Sequence, residues 1–210
     1  RALFYNTTAS HNTAVGYQSL YTVATSSENT ALGYQAGYNA TNVEATYVGF
    51  RAGYGVTSAA SGTAVGRLAL GGNSAGVTGA ENVAVGNAAM YVVTSGADNV
   101  AVGALSLFDN TTGSYNTALG SDALGNNTTA SENTAAGYSA SKNNTTGTQN
   151  VSIGHNTARL TTTGRENTNV GKGSMYYNTT GSYNTTLGKE ALQNNTTASN
   201  NTAVGYHAGY

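Results

Sequence analysis

The residues best able to do chemistry in this chain of 210 residues are few: nine Asp and Glu, three His and no Cys. Six of the acids, Glu28, Glu44, Glu81, Asp98, Glu132 and Glu166, fall in one column of a repeat, where stacked carboxylates can hold cations between layers. The same column also carries His11, Ser61, Tyr115, Gln149, Tyr183 and Asn200, so the pattern predicts a solvated edge rather than a metal site. His11, His155 and His207 occupy three different columns far apart, which rules out a shared metal site within one chain and leaves only a His meeting its symmetry mates on the axis of an oligomer. Catalysis needs unlike residues converging at one place, whereas this sequence repeats similar residues many times over. No catalytic, cofactor-binding or metal-binding residue is assigned, and an enzyme is the least expected class.

The elements that must position these residues come from the repeat itself. "NTALG" at residues 116 to 120 returns as "NTAVG" at 201 to 205 and, with small changes, at ten other places. The anchors are Gly16, Gly33, Gly49, Gly66, Gly86, Gly103, Gly120, Gly137, Gly154, Gly171, Gly188 and Gly205, spaced by 17 residues nine times. One residue is missing before Gly49, and three are inserted, around "GGNSAGV", before Gly86. So short and strict a period predicts an all-β solenoid, a parallel β-roll of about twelve 17-residue coils, with residues 1–210 forming one array and an irregular coil near 66–86. Stacked at about 4.8 Å per coil, the array is expected to be a rod of about 55 to 60 Å, with the insertion leaving it as a bulge.

Each column has an expected job. Three residues before the Gly every repeat has Thr or Val, and one before it Val, Leu or Ile in all but Ala136. This alternation predicts a short strand whose aliphatic column, for example Val102, Leu119, Ile153, Val170 and Leu187, lines the coil interior. A second short strand is expected after the Gly, in segments such as "SDALG". The Gly column predicts a left-handed bend. Four residues before the Gly stand Asn12, Asn29, Asn82, Asn99, Asn116, Asn133, Asn150, Asn167, Asn184 and Asn201, with Ala45 and Gly62 as replacements. Stacked Asn side chains can bond amide to amide, and this column is the structural ladder the sequence predicts.

Aromatics fill two columns, one residue past the Gly (Tyr17, Tyr34, Phe50, Tyr138, Tyr206) and five past it (Tyr21, Tyr38, Tyr54, Tyr91, Phe108, Tyr176, Tyr210). They are expected to stack on one another, with Tyr34, Tyr38 and Tyr54 the candidates for a glycan contact. Paired Thr such as Thr111 and Thr112 form another ladder, which suits turn residues bonding their own backbone better than an ice-binding plane, since adjacent strand residues point to opposite faces. Asn6, Asn39, Asn110, Asn127, Asn144, Asn178 and Asn195 lie in N-x-T sequons that can carry glycans on an outer face if the chain is secreted into a glycosylating compartment.

Composition narrows the classes further. Leu, Ile, Val and Phe make only about 15% of the chain, too little for an ordinary globule, yet the net charge is -1, too low for a charge-driven disordered segment. Without a Lys/Arg cluster there is no footprint for nucleic acid, and no apolar run reaches the length of a membrane span. A thin-cored coil is marginal alone, so several stacks packed as a homo-oligomer are expected. No leader segment is expected, because Arg1 begins inside a repeat, and the chain reads as a piece of something longer.

The strand motif resembles the "SVAIG" repeat in the head domains of trimeric autotransporter adhesins, and "NTALGYQAGYNAT" and "YYNTTGSYNTTLGKEAL" resemble repeats of bacteriophage tail fibres and related bacterial surface proteins. The resemblance spans essentially the whole chain, at a longer period than the adhesin heads. It implies a left-handed parallel β-roll assembled as a trimer, an extracellular location on a virion tail fibre or cell surface, and a shaft that presents a host-binding tip, with any cell-surface glycan bound through another segment. A glycan- or ice-binding module and a self-assembling, glycosylated extracellular filament are the alternatives.

Overall fold

The computed structural model describes residues 1–41, 44–58, 61–71 and 76–209; Tyr210 and residues 72–75 of the insertion lie outside them. The described chain is a β-solenoid without helix. Its twelve three-residue strands are β1 (Thr13–Val15), β2 (Thr30–Leu32), β3 (Thr46–Val48), β4 (Thr63–Val65), β5 (Val83–Val85), β6 (Val100–Val102), β7 (Thr117–Leu119), β8 (Thr134–Ala136), β9 (Val151–Ile153), β10 (Thr168–Val170), β11 (Thr185–Leu187) and β12 (Thr202–Val204). They form one parallel sheet in sequence order, each paired column on column with the next. The insertion does not interrupt this ladder: Thr63 pairs with Val83, and Val77 bridges Val56 as the coil rejoins the stack.

The anchor glycines turn the chain at the end of each strand with φ from 123° to 141°, a region hostile to other residues. Their spacing along the axis is equally demanding, since a Cβ on Gly137 would lie 2.5 Å from the carbonyl oxygen of Gly154 in the next coil. The segment after the Gly is not the second strand the sequence predicts. Residues two and four past the Gly take positive φ, as at Asp122 (59°) and Leu124 (49°), while Ala123 between them does not. Reversing the sign of φ at alternate residues flips successive peptides. Asp122 N–H therefore donates back to Ala104 O at 2.9 Å, and Leu124 N–H donates forward to Ala140 O at 3.0 Å. Each left-handed residue costs about 1–2 kcal/mol, which the hydrogen bonds between coils offset only when coils stack.

The face assignment of the strand is also corrected. The middle residue points inward: Ala31, Ala64, Ala101 and Ala118 are buried, while Leu119, Ile153 and Leu187 are 42%, 43% and 50% exposed. Val102 is exposed as well, and Val170 is half-buried. The reason is volume. The interior is filled from across the coil by residues four past the Gly, such as Leu20, Leu70, Met90, Leu107, Leu124 and Met175, all buried, and only a small strand residue fits opposite them. Tyr47 is the exception that obeys the rule. Its ring occupies the same inward position, and the coils around it carry Gly37 and Gly53 where others carry Leu or Met; a Cβ on Gly37 would lie 2.6 Å from Tyr47 Cδ2.

Candidate functional site

Four residues before each anchor glycine, the Asn column runs inside the coil as a continuous hydrogen-bonded ladder from Asn82 to Asn201. Asn99 is representative. Its Nδ2 donates to Asn82 Oδ1 at 3.1 Å and to Gly113 O at 2.9 Å, and its Oδ1 accepts from the N–H and Nδ2 of Asn116 at 2.9 and 3.1 Å. Asn29 and Asn12 form a separate pair at 3.1 Å, and at the break Ala45 still donates its N–H to Asn29 Oδ1 at 3.0 Å.

A second ladder, missed in the sequence reading, lies seven residues past the glycine. It is apolar in the early coils, with Val23, Ala40, Val56 and Val93 buried, and becomes Asn110, Asn127, Asn144, Thr161 and Asn178 later. Asn127 Nδ2 donates to Asn110 Oδ1 at 2.9 Å and closes its own turn on Ala130 O at 3.0 Å. Where Thr161 replaces Asn, the buried Oδ1 of Asn144 is left without a partner. This ladder corrects the glycan reading of four sequons: the side chains of Asn110, Asn127, Asn144 and Asn178 are buried with Nδ2 bonded inside the coil, so they present nothing to the outer face. In the pairs led by Thr111, Thr128, Thr145, Thr162 and Thr179, the first donates its hydroxyl to the next coil's carbonyl, as Thr111 Oγ1 does to Thr128 O at 2.9 Å, and the second is exposed. The hydroxyls thus join neighbouring coils instead of bonding their own turn.

The aromatic columns stack on themselves. Tyr17, Tyr34 and Phe50 follow one another at 5.5 and 5.3 Å, and Tyr21, Tyr38 and Tyr54 at 5.1 and 5.2 Å. Arg51 flanks both runs, its guanidinium 4.9 Å from the Tyr54 centroid and 5.6 Å from that of Phe50 and held by Gln35 Oε1 at 2.8 Å, and Arg67 of the next coil lies over the Phe50 ring at 5.9 Å. Ring faces of Tyr34, Tyr38 and Tyr54 are therefore turned toward neighbours along the axis, and their edges and hydroxyls face outward. Burial and the neighbouring Tyr21 hydroxyl hold the Tyr38 phenol above its ordinary pKa.

No family model, curated protein or solved structure matches this chain. What it can do must be read from its own surface.

The six in-register acids are all exposed and sit on the turn before the Asn ladder, where Glu28, Glu81, Asp98, Glu132 and Glu166 have positive φ. Among the described residues no group of three or more Asp, Glu, His or Cys converges as a metal site, and no helix is long and apolar enough to cross a membrane. The largest uniform feature is the outward strand face. It carries two parallel columns, Thr or Val at the first strand position and Val, Leu, Ile or Ala at the third, without an ionisable group in either. Chemically the face can do one thing well, which is to be covered by a matching surface.

Proposed function

We propose that the chain is a spacer segment of a homo-oligomeric fibre shaft, in which the outward strand faces of three chains pack against one another. The observation that carries this reading is the uncharged Thr and aliphatic face, continuous in register through twelve strands. Half-exposed Leu, Ile and Val side chains in such a row each contribute on the order of 1 kcal/mol when covered, and a matching solenoid repeats them at the same spacing. The resemblance of the repeat to trimeric adhesin heads supplies the number three and the extracellular setting, a virion tail fibre or a cell-surface adhesin whose host-binding tip lies in another segment. The interior ladders serve this role as scaffolding: they hold the face flat and straight and bind nothing themselves.

Sedimentation equilibrium tests the reading. The wild-type chain is expected at three times the chain mass, and a Leu119→Asp/Ile153→Asp variant at one chain mass with its β-sheet circular dichroism retained, because both positions are outward. A wild-type monomer at every accessible concentration, or a trimer unaffected by the two charges, would overturn it.

A further inference from the structure

The aromatic column five past the glycine is interrupted by glycine twice, at Gly71, where the space beside it is taken by Val77, and at Gly125. Tyr91 stacks on Phe108 with centroids 5.2 Å apart and planes 8° from parallel; the next coil places Gly125 in the column, and the one after it Lys142. The far face of Phe108 consequently has no ring upon it. A cavity of about 280 Å³ opens there, lined by Leu105, Phe108, Asp109, Asp122, Gly125, Asn126 and Lys142. Along the axis it runs from Phe108 across the Gly125 position to Lys142, whose Nζ reaches back to Asp122 in the Gly125 coil and forms one wall.

We propose that this gap is a binding slot for a neutral pyranose ring, inserted where the ladder lacks its own side chain. Phe108 offers a flat apolar face for the C–H face of the sugar. The rim offers acceptors for hydroxyl donors. The Asp109 carboxylate makes no hydrogen bond or ion pair among the described residues, its backbone N–H donating to Gly125 O at 3.0 Å, and Asp122 Oδ2 is engaged at 3.2 Å by Lys142 Nζ, which can also donate to a ring substituent. Asn126 gives Nδ2 to Asn143 Oδ1 at 3.0 Å and keeps its own Oδ1 for a ligand. Burial raises the Asp109 carboxyl above the ordinary carboxylate range, which agrees with an acceptor partly withdrawn from water and improved by a hydroxyl partner. Two carboxylates against one ammonium disfavour acidic sugars, and a bare aromatic ligand would leave the acceptors unmatched. The volume, just below the ~300 Å³ at which small-molecule sites begin, suits a single sugar unit. The slot lies two to six residues past the glycine, on a different run of the coil from the strand face, and does not depend on the fibre reading.

The structure supplies its own control. Gly125 does not have positive φ, and the nearest atoms a Cβ there would meet are the backbone oxygens of Asp122 at 3.3 Å, a tight approach that needs a shift of a few tenths of an ångström, and of Leu105 at 3.5 Å. Gly125→Tyr therefore completes the ladder with the residue the column carries at Tyr91 and Tyr176, and fills the slot. Saturation-transfer NMR is run on the chain with methyl α-D-glucopyranoside, methyl β-D-galactopyranoside, methyl α-D-mannopyranoside and N-acetyl-D-glucosamine. At least one is expected to bind with millimolar affinity, to receive saturation on one ring face, and to lose at least ~10-fold in affinity in Gly125→Tyr, with circular dichroism unchanged. Phe108→Leu, which keeps apolar volume but removes the ring, should lose binding as well. No transfer to any of the four glycosides, or equal transfer in wild type and both variants, would overturn the proposal.

Discussion

The coils around β3 and those around β9 to β11 have the same backbone and opposite interiors. Near β3 the inside is Tyr47, Ala52, Val56 and Ala64, and the aromatic ladders outside are longest. Near β9 to β11 the inside is Ser152, Asn169 and Thr186 from the strands, met by Ser141 and Ser174 from across the coil. Ser141 Oγ donates to Ser152 Oγ at 2.7 Å, and Thr186 Oγ1 donates to Asn169 Oδ1 at 2.9 Å. Among the described residues the contiguous buried apolar core runs from Leu20 to Ala140, with Leu3, Ala9 and Ala14 packed against it. One fold is thus held in two ways, by packed volume in the early coils and, in the late ones, by Met175 together with paired polar groups such as Ser141–Ser152 and Asn169–Thr186, alongside buried Asn156 Oδ1 and Arg159 Nε that find no partner. What both regions share is the hydrogen bonding between coils, so the backbone ladder, not the core chemistry, defines the fold.

The comparison breaks most sharply at Tyr47. Tyr47→Ala should destabilise the chain by about 3–5 kcal/mol, because Gly37 and Gly53 cannot refill the space, and a urea unfolding midpoint reads the loss. Tyr47→Phe should do the reverse, stabilising by about 1 kcal/mol, since the buried hydroxyl has no hydrogen-bond partner and its burial lifts the phenol pKa far above normal. A loss on Tyr47→Phe would mean that the hydroxyl is satisfied after all.

In the polar region volume matters less than pairing. Ser152→Ala alone strands the Ser141 hydroxyl and should cost about 1–2 kcal/mol, whereas Ser141→Ala with Ser152→Ala should be close to neutral. A double-mutant cycle by thermal unfolding measures the difference, and simple additivity of the two costs would show that the pair contributes nothing as a pair.

Much of this architecture was legible in the sequence. The 17-residue period, the strand ending at each Gly and the need for Gly there follow from columns that tolerate few residue types. Which strand face is inside was not legible from hydrophobicity, because Leu119 and Ile153 are the more apolar residues and yet point out. The usable signal was size: Ala101 and Ala118 belong to a column kept small, as a narrow coil requires opposite Leu107 and Leu124. The segment after the Gly misled for a different reason. Leu, Asp and Met in left-handed conformations, as at Leu107, Asp122 and Met175, go against their local preference and are held there by neighbouring coils, which no single repeat reveals. The second Asn ladder was visible as Asn110, Asn127 and Asn144 but reads as N-x-T sequons on an outer face, because its register with Val56 and Val93 emerges only across the change from apolar to polar coils. The Gly125 slot is an absence in a column and shows only when that column is known to stack.

The account turns on the strand being small side in and aliphatic side out, with the aliphatic side covered by other chains. The chain has no Cys, so single cysteines report without interference. Maleimide labelling of Ala118→Cys, Leu119→Cys and Thr112→Cys in the native assembly should be slow, slow and fast respectively. Adding Ile153→Asp, to separate the chains, should make Leu119→Cys react as fast as Thr112→Cys while Ala118→Cys stays protected. Fast labelling at Ala118 with persistent protection at Leu119 in the separated chains would contradict the account outright.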